Sequence, residues 1–147
     1  MGVLLLVVAG CTPRGQSSAT WEQMLSDSLG SEGSLPKLVL LIAPEDCLGC
    51  RIPVKEIREL IRSGVADPTV HVFVREGHLE VVRAHFTRER VHVRMHTFSR
   101  RDVERIPEDL TFPTLAVVRG GGVVAHWDLS EDDASSVADS VASWLTS

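Results

Sequence analysis

Cysteine is scarce in this chain. Three in 147 residues are too few for a disulfide scaffold, and the odd count sets one apart from any pair. Basic clusters are also missing: 15 Lys and Arg are scattered among 20 Asp and Glu, for a formal net charge of -5. No polybasic stretch is therefore offered to nucleic acid or anionic lipid, and nucleic acid is set aside as a partner. No apolar run reaches the roughly 20 residues that span a bilayer. Internal repeats are absent. No second CxxC accompanies Cys47 and Cys50, which leaves a four-ligand zinc site short of ligands. His71, His78, His85 and His92 recur every seven residues, but the segment reads as strand, helix and strand, and no single periodicity would gather them. Neither a metal nor a cofactor is expected.

What is present describes one compact unit. With 44% hydrophobic and 24% charged residues the chain has the composition of a globular domain with a single core. It opens MGVLLLVVAGC, a short apolar run followed by Ala9, Gly10 and Cys11. The run suits the apolar region of a secretory signal, although the basic residues that usually precede one are missing. A buried N-terminal strand is the other reading. Residues 12–20, rich in Ser, Thr, Gly and Pro, read as a flexible tether, and residues 21–147 as the folded domain.

Within that domain, Trp21, Leu25 and Leu29 mark a leading helix, and Lys37 to Ala43 form a continuous apolar run of buried-strand type. Val54, Ile57, Leu60 and Ile61 recur at helical spacing, with Gly64 as a cap. Val70 to Val74 read as a second buried strand, and Leu79, Val82 and Phe86 as the apolar side of a helix. Val91, Val93, Met95 and Thr97 suit an edge strand, and Arg101 to Ile106 a helical turn. Leu115 to Val118, a turn at Gly120-Gly121-Gly122, and Val123 to Trp127 make a hairpin. Ser130 and Asp133 resemble a capping box before a closing helix whose stripe is Val137, Val141, Trp144 and Leu145. The alternation predicts an α/β fold, a central mixed sheet with helices on both faces.

The segment PEDCLGCRIP lies where the first strand gives way to the next helix. A CxxC opening a helix would put both sulfurs on one face, near enough to bond. Free N–H groups at the helix N-terminus would stabilise a Cys47 thiolate as nucleophile, with Cys50 as the resolving thiol. A disulfide closing so small a ring removes little entropy from the unfolded chain, so a purely structural staple would gain little. Trp127 and Trp144 are taken as packing residues.

These motifs together carry a resemblance. The strand LVLLIAP, the Cys47-Leu48-Gly49-Cys50 motif, and Phe112-Pro113-Thr114 before a strand, a glycine turn, a strand and a final helix resemble the thioredoxin-like superfamily over residues 21–147. The added helix and edge strand before Phe112 look like its extracytoplasmic TlpA-type branch, and the start of the chain resembles a bacterial lipoprotein signal. The resemblance implies a cis peptide bond at Pro113, facing the cysteines, and a substrate groove formed by Leu48, Gly49, Phe112 and Thr114. It implies thiol–disulfide exchange with protein thiols and disulfides, an electron donor or acceptor, lipidation of Cys11, and a location outside the cytoplasm, in the periplasm or on the outer face of the membrane, through a lipid anchor. The chain departs from the family at Asp46, where an aromatic residue is common, at Leu41, where a buried acid is usual, and at Pro53, which comes early. An acid at 46 opposes thiolate formation, and Arg51 offsets part of that. A non-catalytic thioredoxin-like binding module with a surface disulfide is the competing function.

Overall fold

The computed structural model describes residues 18–30, 35–42, 52–62, 69–129 and 134–147. Among the described residues five α-helices and five strands follow one another, alternating up to a closing hairpin and helix: α1 (Ser18–Leu29), β1 (Lys37–Leu41), α2 (Val54–Arg62), β2 (Thr69–Val74), α3 (Leu79–Arg88), β3 (Arg94–Thr97), α4 (Arg100–Arg105), β4 (Thr114–Arg119), β5 (Gly122–Asp128) and α5 (Ala134–Thr146). The strands form one sheet in the order β3-β2-β1-β4-β5. β1, β2 and β3 are parallel, and β4 runs antiparallel to both β1 and β5.

The expected apolar run becomes the central strand. Because side chains alternate across a strand, Leu38, Leu40 and Ile42 enter one core while Val39 and Leu41 enter the other. The first core is closed by Val54, Ile57 and Leu60 of α2, Val82 and Phe86 of α3, and Val137, Val141 and Leu145 of α5. The second is closed by Trp21, Met24 and Leu25 of α1, with Leu110 and Phe112 packed at its margin. Helices thus cover both faces, as the alternation predicts.

Several boundaries differ from the sequence expectation. α1 begins at Ser18, three residues before Trp21. α2 begins at Val54: Ile52 and Pro53 are non-helical and separate it from Cys50. Proline lacks the N–H that a helix interior needs, and its carbonyl accepts from Ile57 N at 3.1 Å, so it stands at the helix boundary. β3 starts at Arg94, after the α3 end has been closed by bonds from Arg90 N to Thr87 O and Val91 N to Phe86 O, both 3.0 Å. The 101–106 turn is a helix, capped by Ser99, whose hydroxyl accepts from Asp102 N at 3.1 Å while the Asp102 carboxylate accepts from Ser99 N at 2.7 Å. Trp144 is 43% exposed, outside the stripe that Val137, Val141 and Leu145 bury. The hairpin turn is two residues, Gly120 and Gly121, at φ 61° and 80°, conformations that favour glycine. Gly64 and the Ser130–Asp133 capping box lie outside the described residues.

Cationic side chains serve the helix ends. Lys37 Nζ donates to Leu29 O and Gly30 O at 3.2 and 2.9 Å, and Arg119 donates to Ser147 O, Trp144 O and Leu145 O at 2.6 to 3.3 Å. Among the described residues no helix is long and apolar enough to cross a membrane.

Candidate functional site

The Phe112–Pro113 peptide bond is cis. Pro113 stands immediately before β4, whose first residue, Thr114, pairs with Leu41, the last residue of β1. Pro113 therefore sits at the sheet end where β1 gives way to residues 43–51. Its carbonyl accepts from Leu129 N at 2.9 Å, which ties the proline to the chain leaving β5. Thr114 is 1% exposed and its hydroxyl donates to Thr111 O, while the Thr111 hydroxyl donates to the Asp128 carboxylate. The Thr114 backbone pairs on both sides, with Leu41 and with Asp128. Phe112, half-buried against the α1-side core, is left as the accessible surface beside Pro113.

Both ends of the cysteine segment return to this place. On entry, Ile42 N donates to Phe73 O at 3.0 Å. On exit, buried Pro53 lines a small apolar cavity with Ile57, Leu115, Leu129 and Val141, and Leu115 and Leu129 flank the Pro113–Thr114 corner. Cys47, Leu48, Gly49 and Cys50, like Asp46 and Cys11, lie outside the described residues. Leu41 is fully buried among Trp21, Met24 and Phe73, so this position supplies no proton acceptor.

The heptad histidines do not converge. His71 is on β2, His78 on a 3₁₀ turn, His85 on α3 and His92 before β3. His92 and His96 have the spacing that pairs two ligands on a helix, but on an extended chain that spacing separates them by about 13 Å. Among the described residues no group of three or more His, Cys, Asp or Glu could hold a metal.

The structure instead pairs His71 with His96, a contact that spacing could not reveal. The β2–β3 register sets Phe73 opposite His96, so His71, Phe73 and His96 share the α1-side face. His71 Nδ1 and His96 Nε2 are 2.9 Å apart, and the His96 ring stacks on His71 and on Phe73 at centroid distances of 5.1 and 4.7 Å. His71 is 2% exposed, and its Nε2 has no hydrogen-bond partner among the described residues. Burial first, then the positive charges of His96, Arg94 and Lys37, pushes the His71 pKa down from 6.5 to about 4. Burial and Arg94 lower His96 as well. At the surface, the hydrogen bonds from Gln23 and Arg105 hold the Asp27 carboxyl below its usual value, and Arg105 to Asp27, at 3.2 Å, links α4 to α1.

No family model matches the sequence, and no curated protein matches it. Solved structures do. A thiol:disulfide interchange protein from Bacteroides sp. superposes with a TM-score of 0.53 at 15% identity, over 78% of this chain and 75% of that one. StoA from Bacillus subtilis superposes with a TM-score of 0.49 at 10% identity, over 74% of this chain and 83% of that one. With its mixed five-stranded sheet and helices on both faces, the chain has a thioredoxin-like fold.

Proposed function

We propose that this protein is a thiol:disulfide oxidoreductase, tethered outside the cytoplasm by a lipid on Cys11 and working through Cys47 and Cys50. The observation that carries the reading is the meeting of the cis-Pro113 corner with both ends of the cysteine segment, at Leu41–Ile42 and at Pro53. In the exchange, the Cys47 thiolate attacks one sulfur of a partner disulfide, and the other sulfur leaves as a thiolate that takes up a proton. Cys50, deprotonated, then attacks Cys47 in the mixed disulfide. The partner's second thiol is released, and two electrons have passed from the Cys47–Cys50 dithiol to the partner. A dithiol donor must restore the pair, and the reverse flow oxidises a partner instead. Phe112 offers an apolar surface beside Pro113, and Leu48 and Gly49 are proposed as further substrate contacts on the sequence motif alone. The apolar run ending in Ala9-Gly10-Cys11 supports the lipid anchor and the TlpA-type assignment.

A second reading has its own observation. α2 starts only at Val54, after non-helical Ile52 and Pro53, so its free N–H groups lie at least four residues past Cys50 in the chain, which disfavours activation of Cys47 by this helix N-terminus. A binding module with a structural Cys47–Cys50 disulfide would fit that. Trapping separates the two: a Cys50→Ser chain mixed with oxidised insulin should accumulate a dithiothreitol-sensitive adduct that Cys47→Ser,Cys50→Ser does not form. Absence of an adduct from Cys50→Ser favours the binding module.

A further inference from the structure

Charges that are scattered along the sequence are gathered by the fold. Where β2 and β3 begin and α2 and α3 end, residues of these elements and of the chain between α3 and β3 surround a cleft of about 470 Å³. Arg58, Arg62, Arg90 and Arg94 line it together with apolar Val70, Val91 and Ile61. Glu89 is the one acidic residue lining it among the described residues, and it is engaged by Arg58. Arg62, Arg90 and Arg94 have no ion pair among the described residues, and Arg58 Nε is buried without a hydrogen-bond partner.

Helix ends alone would select some of this charge. α2 and α3 both terminate here, each presenting a partial negative charge of about half a unit that a cation complements. That accounts for Arg62 in the last turn of α2. It does not account for Arg94, which opens a strand. Nor does it account for Arg90, which stands at φ 56° in the left-handed position that closes α3, a place where glycine is usual and a Cβ costs free energy. A long cationic side chain stands where the backbone would be easier without it.

We propose that this cleft binds a small organic oxyanion, a carboxylate or phosphoryl group carried on an apolar body. A guanidinium fork can donate a pair of hydrogen bonds to two oxygens of a carboxylate or a phosphoryl group, and the valine and isoleucine lining suits the body. The volume lies in the range of small-molecule sites. The cleft is a strand length, about 15 Å, from the Pro113 end of the sheet, so it stands apart from the redox reading.

Calorimetric titration of the full chain tests it, with phenyl phosphate and benzoate as probes and inorganic phosphate and benzyl alcohol as controls. At least one aromatic anion should bind saturably, with Kd of about 1 mM or tighter and better than both controls. The tighter of the two identifies the head group. Arg90→Gly and Arg94→Gln should each weaken binding about tenfold. Arg90→Gly should also raise the Tm, because the turn relaxes, and neither variant should change insulin reduction. The proposal is overturned if neither aromatic anion binds, if a control binds as tightly, or if Arg90→Gly raises the Tm and leaves binding intact.

Discussion

The two faces of the sheet are closed in different ways. On one, α2, α3 and α5 meet alternate residues of β1, β2 and β4, and the buried cluster is wholly apolar. On the other, α1 is the main cover, α4 is only a six-residue helix beside it, and the face holds His71, His96 and Thr114 among its apolar neighbours. Among the described residues the buried polar side chains, His71 and Thr114, both lie on the α1-side face. The less completely covered face tolerates a histidine pair, at the cost of keeping its rings uncharged.

The largest effect should come from opening the apolar face. Phe86 is 1% exposed in that cluster, and Phe86→Ala should lower unfolding free energy by about 3–5 kcal/mol in a denaturant titration, with little change in its pH dependence. An intermediate effect belongs to the other face. With a folded pKa of about 4 against 6.5 unfolded, the unfolded His71 takes up its proton first as pH falls. Its share of stability is therefore full above pH 6.5 and is lost progressively toward pH 4. At about 1.36 kcal/mol per pH unit this amounts to at most a little over 3 kcal/mol. His71→Leu should flatten that slope, measured as unfolding free energy at several pH values between 4 and 7. The smallest effect should be Arg105→Ala, which removes the exposed link between α4 and α1 and should leave the thermal midpoint nearly unchanged.

The same contrast explains what could be read from the residues alone. β1 and the stripes of α2, α3 and α5 are legible because each buries one continuous or periodic apolar set. The hairpin is legible because consecutive glycines suit a turn with positive φ. The start of α2 is less legible: Pro53 sets the boundary of the described helix, and the cysteines expected to open a helix lie outside the described residues. Val91 reads as strand by alternation but takes part in closing α3. Trp144 reads as core by spacing, yet Val137, Val141 and Leu145 already fill the contact. The His71–His96 pair and the arginine cleft arise from the β2–β3 register and from the meeting of helix ends, which join residues far apart in the chain. Of the residues expected at the redox site, Phe112, Pro113 and Thr114 can be followed in space, and the motif's own four residues lie outside the described ones.

Disulfide exchange by Cys47 is the proposal on which the function of this protein rests. Insulin reduction by the full chain with dithiothreitol as electron donor tests it most directly. The wild type should accelerate the reaction over dithiothreitol alone, with the acceleration abolished by Cys47→Ser and strongly reduced by Cys50→Ser. Equal rates for the wild type and both variants would contradict it.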